Sequence, residues 1–143
     1  AVEEGPAVVE NYRKNYQPSE AFPEPRVNVG VHVVCSETEE QALRLSACRN
    51  LSRLLNITGR AAGIPSPEDA AAYVYQADEA AYVKQYQSVC VDGTPDQVKE
   101  RLEEISEWYQ TPDLSIVTIT HALADRVHSY ELVADVCGLT PLE

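Results

Sequence analysis

Apolar and polar residues alternate with a period of two at Val27, Val29, Val31 and Val33, with Asn28, Gly30 and His32 between them, which predicts a β-strand over residues 27–35. A second run, 114–120, is mostly apolar, tempered by Ser115, Thr118 and Thr120, and predicts another buried strand. Most of the remaining chain follows the helical period. Pro6 suits a first helical position, and Val8, Val9, Tyr12 and Tyr16 follow at helical spacing, so a helix is expected over 6–16. Three prolines within residues 17–25 end it. After the first strand, Ser36 and Glu39 have the spacing of a capping box, and Leu43, Ala47, Leu51, Leu54 and Leu55 mark a buried face up to about Asn56.

Residues 57–67, with Gly59, Gly63, Pro65 and Pro67, predict a loop or an inserted excursion. Residues 70–86 predict one broken helix or two short ones carrying Tyr73, Tyr75, Tyr82 and Tyr86, while 88–91 predict a short extended piece. Thr94, Pro95 and Gln97 then supply an N-cap, a first-turn proline and a capping-box partner for a helix with Val98, Leu102, Ile105 and Tyr109 along one side. A final helix is expected from about Asp125, packing through Val127, Tyr130, Val133, Val136 and Cys137 and stopping at Gly138.

Two strands among amphipathic helices suggest a β/α barrel, but eight strand-helix units need roughly 200–250 residues. This chain has 143. The fold expected is therefore the C-terminal part of a TIM (β/α)8 barrel, with two main parallel strands and flanking helices, incomplete on its own and carrying an excursion at 57–87. Two or three strands leave unpaired edges, so the missing strands are expected from elsewhere. In a barrel strand one face packs on outer helices and the other points inward, which directs Asn28, Gly30 and His32 to the interior.

Composition narrows the classes of partner. Twenty-three acidic against eleven basic side chains give a net charge of -12, which repels nucleic-acid backbones and anionic lipid surfaces alike. No apolar stretch approaches the roughly 18–20 residues a membrane span requires. The N-terminal Ala-Val-Glu-Glu-Gly-Pro has neither the basic nor the apolar region of a secretion signal and suggests a chain entered partway through. Cys35, Cys48, Cys90 and Cys137 are scattered without a C-x-x-C pair, so reduced core thiols in a cytoplasmic protein are expected. No H-E-x-x-H, G-x-G-x-x-G, Walker loop or G-x-S-x-G occurs, which removes sequence support for a zinc site, a dinucleotide fold, a phosphate-loop nucleotidase or an α/β hydrolase.

Two histidines are candidate catalytic residues. His32 lies on the inward face, where a neutral imidazole can donate to or accept from a bound molecule; otherwise it is a satisfied core histidine. His121 follows the C-terminal end of the second strand, the end at which barrel enzymes place their chemistry. His128, inside the last helix, is expected at the surface. The four tyrosines at 73–86 suit either helix packing or a lid over a ring-shaped substrate.

Tyr12-Arg13, Gln17-Pro18-Ser19-Glu20 and Pro25-Arg26-Val27-Asn28-Val29-Gly30-Val31 come first, followed by Ser36-Glu37-Thr38-Glu39-Glu40-Gln41-Ala42. Asp92-Gly93-Thr94-Pro95-Asp96-Gln97-Val98 and Arg126-Val127-His128-Ser129-Tyr130-Glu131-Leu132 come later. Taken together and in this order, they make almost the whole chain resemble the C-terminal half of bacterial-luciferase-like flavin oxidoreductases. The resemblance implies a TIM barrel, with 6–16 as its sixth helix and the two strands as its seventh and eighth. It also implies a monooxygenase that uses reduced flavin mononucleotide, or in some branches a deazaflavin, and oxygen on a small organic substrate. Relatives often carry a His-rich stretch after the eighth strand, and His121 is its approximate counterpart here. Much of the flavin contact in that family comes from earlier strands, so this chain alone is expected to bind flavin weakly and to be inactive. Its expected partner is the missing N-terminal barrel half or another copy of the chain. The rival reading is a non-enzymatic α/β module that pairs its strand edges with another chain.

Overall fold

Strand β1 (Val29–Cys35) is the middle of a three-stranded parallel sheet, flanked by β2 (Val91–Gly93) on one side and β3 (Leu114–Val117) on the other. The computed structural model describes residues 4–140. Val33 aligns with Val91 and Cys35 with Gly93, whereas Val29 aligns with Leu114 and His32 with Val117. Six helices complete the fold: α1 (Gly5–Asn15), α2 (Glu39–Ile57), α3 (Pro67–Ala72), α4 (Ala77–Gln87), α5 (Pro95–Tyr109) and α6 (Leu123–Val136). Among the described residues no helix is long and apolar enough to cross a membrane.

This architecture corrects the expected fold class. Instead of part of a β/α barrel built on two main strands, the described residues form a small α/β unit with three parallel strands and six helices. The third strand, Val91–Gly93, overlaps the short extended piece expected at 88–91 only at Val91, because three residues are too few to display a period that would fix its place. It directly precedes the helix cap at Thr94, so its residues read as punctuation.

The alternation along β1 has the anticipated consequence. Val31, Val33 and Cys35 are buried with Val91, and Val98, Leu102, Ile105 and Tyr109 of α5 and Val133 of α6 close the cluster over them. All four positions of the α5 stripe are thus core positions. Burying a side chain such as Ile105 contributes about 1.5–3 kcal/mol. Thr94 accepts a hydrogen bond from the Gln97 amide and Gln97 accepts one from the Thr94 amide, the reciprocal capping box that its spacing announced.

Helix α2 departs from the expected details. Its cap is Thr38, which accepts from the Gln41 amide, while Ser36 donates to Glu37 instead. Its buried side is Leu45, Cys48, Leu51 and Leu54, and Leu43 is exposed. A second cluster forms where Cys48, Leu51 and Leu54 meet Ala70 of α3, flanked by Tyr73, Tyr75, Tyr82 and Val83. The predicted excursion is therefore two helices packed on α2. The last helix also differs: Val127 and Tyr130 are substantially exposed, and Ser129 and Val133 are the buried pair. Gly138 adopts φ 66° just past its end, where a residue with a Cβ is strained.

Helix α1 buries no side chain completely. Arg13 fastens it by donating to the carbonyls of Tyr109 at 3.2 Å and Gln110 at 2.7 Å, beyond the end of α5.

Candidate functional site

His32 projects from β1 on the face opposite the valine cluster. Val34, two residues further along β1, and Asp92, in register with Val34, share that face, and α2 covers them from above. The expected alternation thus holds, but His32 does not look into an empty interior. At its level the helix places Arg49, and α4 places Tyr86.

Arg49 and Asp92 form the rigid part of this site. The guanidinium is 1% exposed and the carboxylate 4% exposed, and they meet through two bonds, Nη1 to Oδ1 at 2.9 Å and Nη2 to Oδ2 at 2.7 Å. Asn50 Oδ1 accepts from Nε and Nη2 as well. Burial alone disfavours the Arg49 charge, but the hydrogen bonds and attraction of Asp92 outweigh it and leave the guanidinium more strongly held as a cation than usual. The Tyr86 ring lies beside this pair, 5.7 Å from the Arg49 guanidinium carbon and 5.6 Å from that of Arg53, one helical turn further along α2. The His32 ring meets Tyr86 edge-on at 6.1 Å. One tyrosine therefore joins the histidine and both arginines.

Burial, followed by the charges of Arg49 and Arg53, pushes the His32 pKa below the ordinary histidine value. The imidazole is neutral near pH 7. Its Nδ1 is buried and has no hydrogen-bond partner, one of two such side-chain atoms among the described residues; the other is Thr118 Oγ1, beyond the end of β3. Buried polar atoms are nearly always paired, so this ring nitrogen, closed off from solvent beside the Val117 backbone, is the exception that singles out His32. Toward the N-terminal end of the strands the same face is bare. Gly30 and its register partner Ser115 are exposed there, as is Val117 beside His32, and a Cβ on Gly30 would meet no atom within 4 Å.

His121 lies elsewhere. It is exposed in the turn between β3 and α6, and its Nδ1 is 2.9 Å from the carbonyl of Ile64 in the excursion loop. A carbonyl only accepts, so Nδ1 carries the proton and Nε2 is left for another partner. Among the described residues no hydrogen bond or ring contact joins His121 to His32. His128 is at the surface, as expected, paired with Glu37, which raises its pKa above the ordinary value.

The motif around His128 has a structural task. Buried Ser129 accepts from the Cys35 amide at 2.9 Å, and the Tyr130 hydroxyl accepts from the Thr118 amide at 3.0 Å, so α6 satisfies backbone donors at the C-terminal ends of two strands. Cys35 and Cys48 are buried, Cys90 is half-buried and Cys137 is exposed; all four are free thiols. Burial pushes the Cys35 thiol up to about 11, which makes it a core residue and a poor nucleophile. Among the described residues no group of three or more His, Cys, Asp or Glu side chains is arranged to hold a metal ion.

A cavity of about 480 Å³ lies away from this chemistry, between α5, β3 and α6, against Leu102, Leu114, Ile116 and Val133. It holds no orphan polar group. We therefore place the candidate site at His32.

The sequence does not single out Arg49, Arg53 or Asp92 as site residues, and Tyr86 enters it only among the four tyrosines that suit either helix packing or a lid. The available signal was Arg49 itself, a charge on the buried side of α2 between Cys48 and Leu51, which demands an acid across the interface.

Comparison with known proteins agrees on the fold and on the extent of the match. No protein-family model matches the chain. The chain is 34% identical over 134 residues to the uncharacterized protein YwcH of Bacillus subtilis, a match covering 93% of this chain and 40% of YwcH. It is 29% identical over 128 residues to the uncharacterized protein YvbT of the same organism, covering 90% and 38% respectively. The chain thus spans about two fifths of the length of the curated relatives it matches. Among solved structures, the crystal structure of apo-MsnO8 superimposes with a TM-score of 0.79, at 24% identity, over 97% of this chain and 43% of the other. That likeness is one of fold, the mixed α/β arrangement described above.

Proposed function

We propose that this chain forms part of a flavin-dependent monooxygenase of the luciferase-like kind, acting with reduced flavin and oxygen on a small organic substrate. The observation that carries the reading is His32: a neutral, half-buried imidazole with an unpartnered ring nitrogen, on a parallel sheet face left bare at Gly30. The ordered likeness of the motifs from Tyr12 to Leu132 supports it.

The residues present fit one edge of a flat ring system and do not supply a phosphate cradle. Gly30 lets a planar group approach the strand, and His32 offers a hydrogen bond at its rim. The start of α2 is capped by Thr38 and that of α5 by Thr94 and Gln97, so side chains already occupy part of the amide groups that would otherwise receive a phosphate. The flavin, either the mononucleotide or a deazaflavin, supplies the oxygen chemistry when bound. The role assigned to this chain is to orient the ring through His32 and hold that imidazole neutral beside Arg49. His121, with Nε2 free, is a second candidate contact at the C-terminal end of β3. The remaining contacts belong to the rest of a longer polypeptide or to another copy. The free thiols suit a reducing, cytoplasmic setting.

A rival reading, a non-enzymatic module that pairs its strand edges, draws on β1: β2 pairs with Val33–Cys35 alone and leaves Val29 to His32 without a neighbour on that side. Titrating flavin mononucleotide, and a deazaflavin in parallel, against this chain and against a longer protein that contains it separates the two. Strong flavin binding by the longer protein, weakened by His32→Ala, is expected. Absence of binding by the longer protein would sink the monooxygenase reading.

A further inference from the structure

Arg53 is the unusual cation of this molecule. Most other arginines spend their charge within the fold: Arg44 on Glu68, Arg49 on Asp92, Arg60 on Glu79, Arg101 on Glu104 and Arg13 on backbone carbonyls. Arg53 pairs with no carboxylate among the described residues. It is nevertheless held in place, since its Nε donates to the Tyr82 hydroxyl at 3.2 Å and its guanidinium lies 5.6 Å from the centre of the Tyr86 ring. Tyr82 and Tyr86 are one turn apart on α4, so two tyrosines of a single helix face fix one arginine from α2. Among the described residues neither terminal nitrogen of Arg53 has a protein acceptor. A guanidinium braced in this way, though exposed, presents a planar fork matched to an oxyanion.

The surroundings favour the same ligand. Asp92 neutralises Arg49, and His32 is neutral, so Arg53 supplies the uncompensated charge of this node in a chain whose net charge is -12. The orphan Nδ1 of His32 belongs to the same node, joined to Arg53 through Tyr86. We propose that Arg53, held by Tyr82 and Tyr86, is an anion-binding residue that receives the carboxylate or phosphate group of a small organic ligand beside His32. This inference stands whether or not the chain serves a flavin enzyme.

Benzoate and inorganic phosphate are the probes, titrated separately against the 143-residue chain while the His32 and tyrosine ring resonances are followed by NMR. Saturable shifts of His32 and Tyr86 are expected, with benzoate the tighter if the ligand is an aromatic carboxylate and phosphate the tighter if it is a phosphoester. Arg53→Gln should weaken the bound probe by at least about tenfold, the loss of one charge-assisted contact. Arg53→Lys should recover part of that loss. Arg101→Gln removes the same charge from an exposed pair on α5 and should leave binding unchanged. Equal weakening by Arg101→Gln would mean a diffuse charge effect and overturn the proposal, as would unchanged binding in Arg53→Gln or no saturable shift with either probe. Thermal melts of each variant, recorded alongside, confirm that the comparison is between folded proteins. Flavin titration stays a separate measurement, so a negative result there leaves this one intact.

Discussion

Around Val33 and Ile105 the buried side chains come from two strands and two helices; around Leu51 and Leu54 they come from two helices, α2 and α3, flanked by partly buried side chains of α4 and by tyrosines and charged pairs. The sheet cluster is closed by interdigitating aliphatic groups. The α2–α4 cluster is closed at its rim by Arg60, which bonds Tyr73 and the half-buried Glu79, and by the exposed pair of Arg44 with Glu68. Exposed pairs of this sort contribute about 0–1 kcal/mol each. The two regions should therefore open at different free energies, the excursion before the sheet. What joins them is Arg49–Asp92, a buried ion pair between α2 and β2.

The largest effect should come from that joint. Arg49→Ala leaves Asp92 buried without a counter-charge and is expected to destabilise the chain by about 3–5 kcal/mol in chemical denaturation. Replacing both residues with apolar ones of similar volume, Arg49→Met with Asp92→Leu, should recover most of that loss. A single Arg49→Ala change within 1 kcal/mol of the parent would break the comparison, because the regions would then be joined by something else.

Next come the two cores. Ile105→Ala and Leu54→Ala should each cost about 2–5 kcal/mol locally. Amide exchange distinguishes them: Ile105→Ala should raise exchange throughout β1, α5 and α6, and Leu54→Ala chiefly in α3 and α4. Identical exchange patterns would show one cooperative unit.

Much of the sheet region is legible in the sequence because its signals are local. The valine alternation and the Thr94–Gln97 capping box each specify structure within a few residues, and both occur as expected. Helix α2 is harder to read, since Leu43 and Leu45 are equally good helix residues and only tertiary packing decides that Leu45 is buried. Likewise β2 is defined by its partner β1 and not by its own three residues. The site is legible to the extent of His32. Its neighbours Arg49, Asp92 and Tyr86 are brought together across more than forty residues by α2 crossing the sheet, which no spacing rule anticipates.

A smaller effect tests the cap itself. Thr94→Ala should cost about 1 kcal/mol, by leaving the Gln97 amide without its acceptor. Circular dichroism melts check it, with Thr94→Ser as the variant that should stay near the parent.

The smallest effect is a pH dependence with opposite signs in two places. His32 is held below its ordinary pKa, so the unfolded chain takes up a proton more readily and stability falls as pH drops through and below about 6.5. His128 is held above its ordinary pKa by Glu37, so its contribution is present at low pH and is lost as pH rises through the folded value. Between pH 7 and pH 5, His32→Gln should flatten the fall in melting temperature and His128→Gln should steepen it. The reverse pattern would mean that burial and the charges of Arg49 and Arg53 do not depress His32.

Helix α1, fastened through Arg13 to the carbonyls past the end of α5, has a calorimetric consequence. Because it buries no side chain completely, its release exposes little apolar surface and adds little heat capacity. A scanning calorimeter would pass over its detachment almost without a signal, while the circular dichroism of its eleven residues disappears. Mismatched transitions by the two methods would thus report a helix leaving a core that is still intact.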